Sequence, residues 1–161
     1  MAQLLIVYHS RTGGARQMAE AAAEAARAEA DTILKPADQT DPEDLLAADG
    51  YIFCAPENLA AISGLMKEFF DRCYYPVLGL IEGRPYAQMI CAGSDGENAA
   101  RQIARIAMGW RLKVVQPPLI ICTHAQTPEV IMAEKTIPDD QLETCREIGA
   151  ALAAGLSLGV Y

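Results

Sequence analysis

The sequence predicts an α/β fold: five parallel strands in a doubly wound sheet of order 2-1-3-4-5, with helices on both faces. Three observations predict it. Apolar runs without polar alternation recur at Leu4–Tyr8, Thr32–Leu34, Tyr51–Ala55 and Tyr86–Cys91, then at Lys113–Val115 and Leu119–Cys122 around Pro117-Pro118. Such runs suit strands covered on both faces. Segments with helical spacing separate them, so strand and helix alternate five times. Right-handed crossovers then select the doubly wound order.

The elements follow in chain order. The first strand stops at Ser10-Arg11-Thr12-Gly13-Gly14, and an alanine-rich helix runs from Arg16 to Glu29 with Met18, Ala22 and Ala26 at helical spacing. Thr32–Leu34 is a short strand ended by Pro36. Asp41-Pro42-Glu43-Asp44 supplies a cap, a proline at the first helical position and acids in the first turn, giving a short helix to Ala47. Asp49-Gly50 precedes the third strand, which leads into the loop Pro56–Leu59. A helix over Ser63–Tyr74 follows, with Leu65, Met66, Phe69, Phe70 and Cys73 turned inward. Gly79, Gly83 and Pro85 keep the next connection irregular, and Tyr74 and Tyr75 ahead of Pro76 are expected at a domain edge or a homodimer contact. The fourth strand leads into Ala92–Gly96, and a helix spans Glu97–Trp110. Residues 124–138 read as loop, and Asp139 to Leu156 is the closing helix, capped by Asp139 and Asp140. A chain of 161 residues suits one domain, 1–161, with a substantial core.

Composition removes several function classes. A formal net charge of -8 argues against nucleic acid and anionic membrane as partners. Hydrophobic residues make up 52% and charged residues 21%, a globular balance, and no apolar run approaches the ~20 residues of a membrane span. Met1-Ala2-Gln3 leads straight into a strand without a basic segment, so a cytoplasmic location is expected. The five cysteines, 54, 73, 91, 122 and 145, stand too far apart for a compact zinc or iron–sulfur motif or a disulfide framework. Cys54, Cys91 and Cys122 lie in strand runs and read as buried thiols. Two histidines are too few for most metal sites.

The stretch after the first strand carries the chemistry. Its hydroxyls and glycines let backbone N–H groups point inward together. The helix start adds unpaired N–H donors and the positive end of the macrodipole, so the whole makes a site for a phosphate dianion. No Lys-Ser/Thr follows the glycines, which excludes a P-loop, and there is no G-x-G-x-x-G. The same residues also suit a plain strand-to-helix turn in which Ser10 or Thr12 caps the helix. In a doubly wound sheet, ligands bind beyond the carboxyl ends of the strands at the switch point. Three polar loops converge there: Ser10–Ala15, Pro56–Leu59 and Gly93–Gly96.

Ser10-x-Thr12-Gly13-x-Ala15 resembles the FMN-phosphate loop of the flavodoxin superfamily. Ala48–Asn58 with Ser63–Arg72, above all Lys67-x-Phe69-Phe70-Asp71-Arg72, resembles the flavodoxin-fold NAD(P)H-dependent FMN reductases. The resemblance covers essentially the whole chain and implies a flavodoxin-like fold with FMN as cofactor. By that resemblance, Ser10, Arg11, Thr12, Gly13, Gly14 and Ala15 would hold the phosphate. Pro56, Glu57, Asn58 and Leu59 would flank the isoalloxazine on one side, and Gly93, Ser94, Asp95 and Gly96 on the other. The implied activity passes electrons from NAD(P)H through the flavin to a quinone, free flavin or another small acceptor. The flavin carries that chemistry, so no side chain is assigned as catalytic. Two alternatives stand beside it: an electron shuttle docking on redox partners, and a binding module that has lost FMN.

The chain departs from the family pattern at two places. Ala15 stands where relatives often carry a phosphate-binding hydroxyl, and neither ring loop holds an aromatic residue. Glu57, Asp95 and Glu97 are expected to surround the ring and to lower its reduction potential.

Overall fold

The computed structural model describes all residues, 1–161. Its centre is a parallel sheet of β1 (Gln3–Tyr8), β2 (Asp31–Pro36), β3 (Gly50–Asn58) and β5 (Pro85–Ala92), with the edge pieces β6 (Lys113–Val114) and β7 (Leu119–Cys122). The order is β2-β1-β3-β5-β6, and β7 also pairs with β5. Lys113–Val114 aligns with Pro85–Tyr86 and Leu119–Cys122 with Met89–Ala92, so the two pieces are one edge strand interrupted at Pro117-Pro118. The doubly wound 2-1-3-4-5 order expected from the apolar runs is the observed one.

Strand periodicity divides the core in two. Leu5, Val7, Tyr51, Phe53 and Tyr86 face α3 (Gly64–Val77) and α4 (Glu97–Gly109). Leu4, Ile6, Ile52, Cys54 and Met89 face α1 (Gly14–Ala26) and the C-terminal helix Asp139–Leu158. The first face is aromatic. Phe53 lies 5.2 Å from Phe70 and 6.3 Å from Trp110, measured between ring centroids. The second face is built of alanines, which let two helices lie close together on the sheet. No helix is long and apolar enough to cross a membrane.

The Lys67–Arg72 signature is explained by this packing. Phe69 and Phe70 are buried against the sheet, and Lys67 pairs with Asp71 on the outer face. Arg72 does not pair with Asp71. Its guanidinium takes both oxygens of Glu68, reaches Asp41 at 3.4 Å and donates to the carbonyls of Thr40 and Ala37. It thereby ties α3 to the start of α2 (Pro42–Ala47).

Several boundaries differ from the sequence expectation, each for a local reason. The first helix spans Gly14–Ala26, because its first turn begins within the glycines. α3 continues through Pro76 to Val77, since the proline falls in the last turn. Leu65 points outward and is exposed. Cys122 is only half-buried, on the open edge of the sheet. A short helix α5, Pro128–Met132, interrupts the expected loop. Pro138, not an aspartate, is the N-cap of α6 (Asp139–Leu158).

The loop after β3 folds back as a hairpin that the sequence does not announce. β4, Ala61–Ile62, pairs antiparallel with Glu57 and Asn58. The two connecting residues, Leu59 and Ala60, have φ of 52° and 61°. Two left-handed residues in a two-residue hairpin define the turn type that favours Asn-Gly, whereas side chains such as these cost ~1–2 kcal/mol each there. The double variant Leu59→Asn/Ala60→Gly is therefore expected to raise Tm by roughly 2–8 °C. A thermal melt with Tm unchanged or lower would count against strain at this turn.

Candidate functional site

The three loops expected to converge do so at the carboxyl ends of β1, β3 and β5. One groove is lined by Ser10, Arg11, Thr12, Ala15, Pro56, Glu57, Asn58 and Gly93. Leu59 lies outside it, fully exposed at the hairpin tip. Ser94 is also exposed.

The Ser10–Arg16 turn has the form of an anion cradle. Gly13 is the N-cap of α1 with φ 95° and ψ -14°. Its N–H donates to Ser10 Oγ at 3.1 Å. The N–H groups of Thr12, Gly14, Ala15 and Arg16 donate to no group of the chain. Gly14 packs on β5 so closely that a Cβ there would sit 2.5 Å from Cys91 Sγ. Cys54 Sγ donates to Ala15 O at 3.3 Å, which fixes the first helical turn to β3. Neither hydroxyl accepts from the N2 or N3 amide in the way that a plain helix cap requires.

The acidic loop residues behave differently from expectation. Glu57 lines the groove, and its carboxylate is engaged by the chain. Oε1 accepts from Gly96 N at 2.9 Å and Oε2 from Ala99 N at 3.2 Å, so Glu57 caps the N-terminus of α4. Asp95 Oδ1 likewise accepts from Glu97 N at 3.2 Å. A helix N-terminus is the favoured partner of a carboxylate, and α4 begins directly after the third loop. Glu57 therefore locks the second loop to the third.

His9 and His124 serve the scaffold. His9 Nδ1 lies 2.7 Å from Ser63 Oγ, and burial lowers its pKa against the opposing pull of Asp38. His124 donates its N–H to Gly93 O at 2.8 Å, joining the end of β7 to the third loop. Burial pushes the Cys91 thiol up to about 11, so it stays protonated and unreactive at neutral pH.

Two features escaped sequence reasoning. A second cavity of about 560 Å³ adjoins the turn on its β2 side, where Tyr8, His9, Arg11 and Arg16 face Asp38 and Glu134. α5 and the segment after it also lie across the turn, with Ile131 and Lys135 as the roof of the groove. No local pattern marks Lys135 as part of a site whose turn lies more than a hundred positions earlier.

Comparison with known proteins agrees with this fold. The family described as NADPH-dependent FMN reductase matches residues 38–127. A flavodoxin of Aquifex aeolicus is 30% identical over 99% of this chain and 90% of its own length. An NAD(P)H dehydrogenase (quinone) of Acidithiobacillus ferrooxidans is 33% identical over 94 residues, 45% of this chain and 47% of its own length. Among solved structures, the oxidised flavodoxin 1 of Bacillus cereus superimposes with a TM-score of 0.78 at 20% identity, covering 97% of this chain and all of that one (100%). The chain thus belongs to the NADPH-dependent FMN reductase family, within the flavodoxin-like superfamily.

Proposed function

We propose that residues 1–161 act as one FMN-binding domain that passes electrons from NAD(P)H to a small acceptor of the quinone or flavin class. The observation that carries the reading is the Ser10–Arg16 turn. It offers inward N–H groups without partners in the chain, at a helix N-terminus, in a family named for FMN reduction. That donor set fits a phosphate dianion.

The ring end of the site is tighter. The groove at the three loops encloses about 70 Å³, against the ~300–1,000 Å³ usual for ligand pockets. Its roof is Ile131 on α5, a five-residue helix with Val130, Ile131 and Met132 all exposed. Admitting the ring requires this helix to move outward, whereas the floor made by β3 and β5 is fixed in the sheet. Bound there, FMN supplies acceptance of hydride from a reduced nicotinamide and delivery of electrons to the acceptor. The chain's own contribution is placement. The turn holds the phosphate, the Glu57–Gly96 contact sets the spacing of the two ring loops, and Pro56 and Gly93 offer backbone to the ring edge.

Neither ring loop has an aromatic side chain to lie over the ring, since the large rings near β3 are spent in the core. An open face leaves a nicotinamide room to lie parallel to the flavin, where proximity does much of the catalytic work. The A. ferrooxidans quinone dehydrogenase supports a quinone as acceptor. The A. aeolicus flavodoxin matches twice as much of the chain and favours a second reading, a protein-docking electron shuttle.

Anaerobic stopped-flow separates the two. FMN-loaded protein mixed with excess NADH or NADPH should bleach at about 1 per second or faster. Flavin that stays oxidised under both nucleotides, yet is reduced by a reductase protein, establishes the shuttle. A visible spectrum unchanged by incubation with FMN removes both readings.

A further inference from the structure

The groove has a fourth wall, the strap Glu134–Ile137 between α5 and α6. Lys135 N donates to Thr12 O at 2.8 Å. Gln17, in the second turn of α1, clamps the next residues with both ends of its carboxamide. Nε2 donates to Lys135 O at 2.6 Å, and Oε1 accepts from Ile137 N at 2.9 Å. The strap is therefore fixed to the same helix start that forms the anion cradle.

The Lys135 side chain turns back over that cradle. Its Nζ donates to the carbonyls of Val130, Ile131 and Ala133 at 2.8, 2.8 and 2.6 Å and stands 3.5 Å from Thr12 Oγ1. It is half-buried and forms no ion pair with any carboxylate of the chain. Glu134, the adjacent acid, faces Arg16 instead at 3.9 Å. Carbonyl dipoles fix the ammonium in place but do not neutralise it. An ammonium met only by carbonyls keeps its net charge, which remains open to an anion beside it.

We infer that Lys135 is the counter-charge for the FMN phosphate, standing in for the hydroxyl absent at Ala15, and that the strap is a fourth FMN-binding element. This rests on the FMN reading above. When α5 moves outward to admit the ring, the carbonyls of Val130 and Ile131 withdraw, and the freed N–H groups turn to the phosphate. The anchor at Thr12 O and Gln17 holds the lysine backbone in place meanwhile. The bonds from Nζ to α5 would also suit a lysine that merely finishes that helix, and such a role predicts loss of stability without any preference between ligands.

The test compares FMN with riboflavin, which has the same ring and no phosphate. Each is titrated into wild type, Lys135→Met, Lys135→Gln and Lys135→Arg by fluorescence quenching at low and at raised KCl, with circular dichroism to confirm folding. FMN affinity should fall roughly 10- to 100-fold in the Met and Gln variants. It should be largely retained in Lys135→Arg, and riboflavin affinity should change less than about twofold throughout. The salt dependence of FMN binding should flatten where the charge is lost. Equal losses for both flavins, or an unchanged FMN affinity, overturn the inference. Inorganic phosphate separates its failure from that of the FMN reading. If wild type binds neither flavin, the FMN reading fails; phosphate that raises Tm in wild type but not in Lys135→Met then still supports Lys135 as the counter-charge of an anion held at the turn, and no rise in either overturns that as well.

Discussion

Gly149→Ala is expected to lower Tm by roughly 6–12 °C, although alanine is the better helix former. Gly149 lies within α6 where that helix crosses α1, and a Cβ placed on it would stand 2.1 Å from Ala22 O. The obstacle is backbone, not the end of a flexible side chain, so nothing can rotate away. Replacing glycine inside a helix normally gains up to ~1 kcal/mol. Against that, forcing a methyl into a closed contact costs ~1–3 kcal/mol and more where the neighbour is rigid. The two helices must separate, and the apolar layer of Met18, Ala19, Ala22 and Leu152 opens with them. Gly64→Ala is the control. It sits at the first position of α3 with nothing within 4 Å of its added Cβ, and it should be neutral or slightly stabilising. A Gly149→Ala protein that melts at or above the wild-type temperature would show that α1 and α6 are not held at this contact.

That contact also shows what was legible in the sequence and what was not. The alanine spacing of α1 announced a helix lying close on a sheet, but not which helix shared its face, because Ala22 and Gly149 are distant in sequence. The apolar runs gave the strands directly, since a strand covered on both faces has no reason to alternate, and right-handed crossovers then favoured the doubly wound order. Turn chemistry was a weaker guide. The Pro56–Leu59 loop read as irregular because Leu59-Ala60 carries none of the glycine or asparagine that marks a two-residue hairpin, and the chain adopts that hairpin against local preference.

The candidate site was legible where its residues are consecutive. Ser10–Ala15 forms a turn in which the chain leaves the amides of Thr12, Gly14 and Ala15 free, and the loops after β3 and β5 meet it as the switch-point rule requires. Side-chain direction was not legible. Glu57 looked like a charge beside the ring, and nothing local announced that its carboxylate also caps the start of α4. Lys135 and Gln17 carried no signal at all, because their meeting depends on how the segment between α5 and α6 crosses the turn.

The largest functional effect is expected from Gly13→Val, which should reduce FMN affinity by 100-fold or more while the protein remains folded. Gly13 holds φ at 95°, a conformation that a β-branched residue adopts only under strain. The space around it is not the difficulty. An added Cβ would meet the ends of the Arg16 and Gln17 side chains, each at 3.4 Å, and Glu134 Cγ at 3.7 Å, all ordinary contact distances. The backbone is what must change. A valine relaxing toward negative φ rotates the peptide planes on either side of it, which re-aims the free amides of Gly14 and Ala15. Hydrogen bonds to a charged group contribute ~1.5–3 kcal/mol each, so losing two amounts to roughly 100-fold in affinity or more. Strain of ~1–3 kcal/mol at one turn leaves a domain of this size folded. Riboflavin affinity should change far less than that of FMN, because the ring is held by other loops. Titration of both flavins into wild type and Gly13→Val, read by fluorescence quenching, gives the ratio directly. Equal FMN affinity in the two proteins would remove the turn from the site, and a parallel loss for riboflavin would place the defect in the groove as a whole.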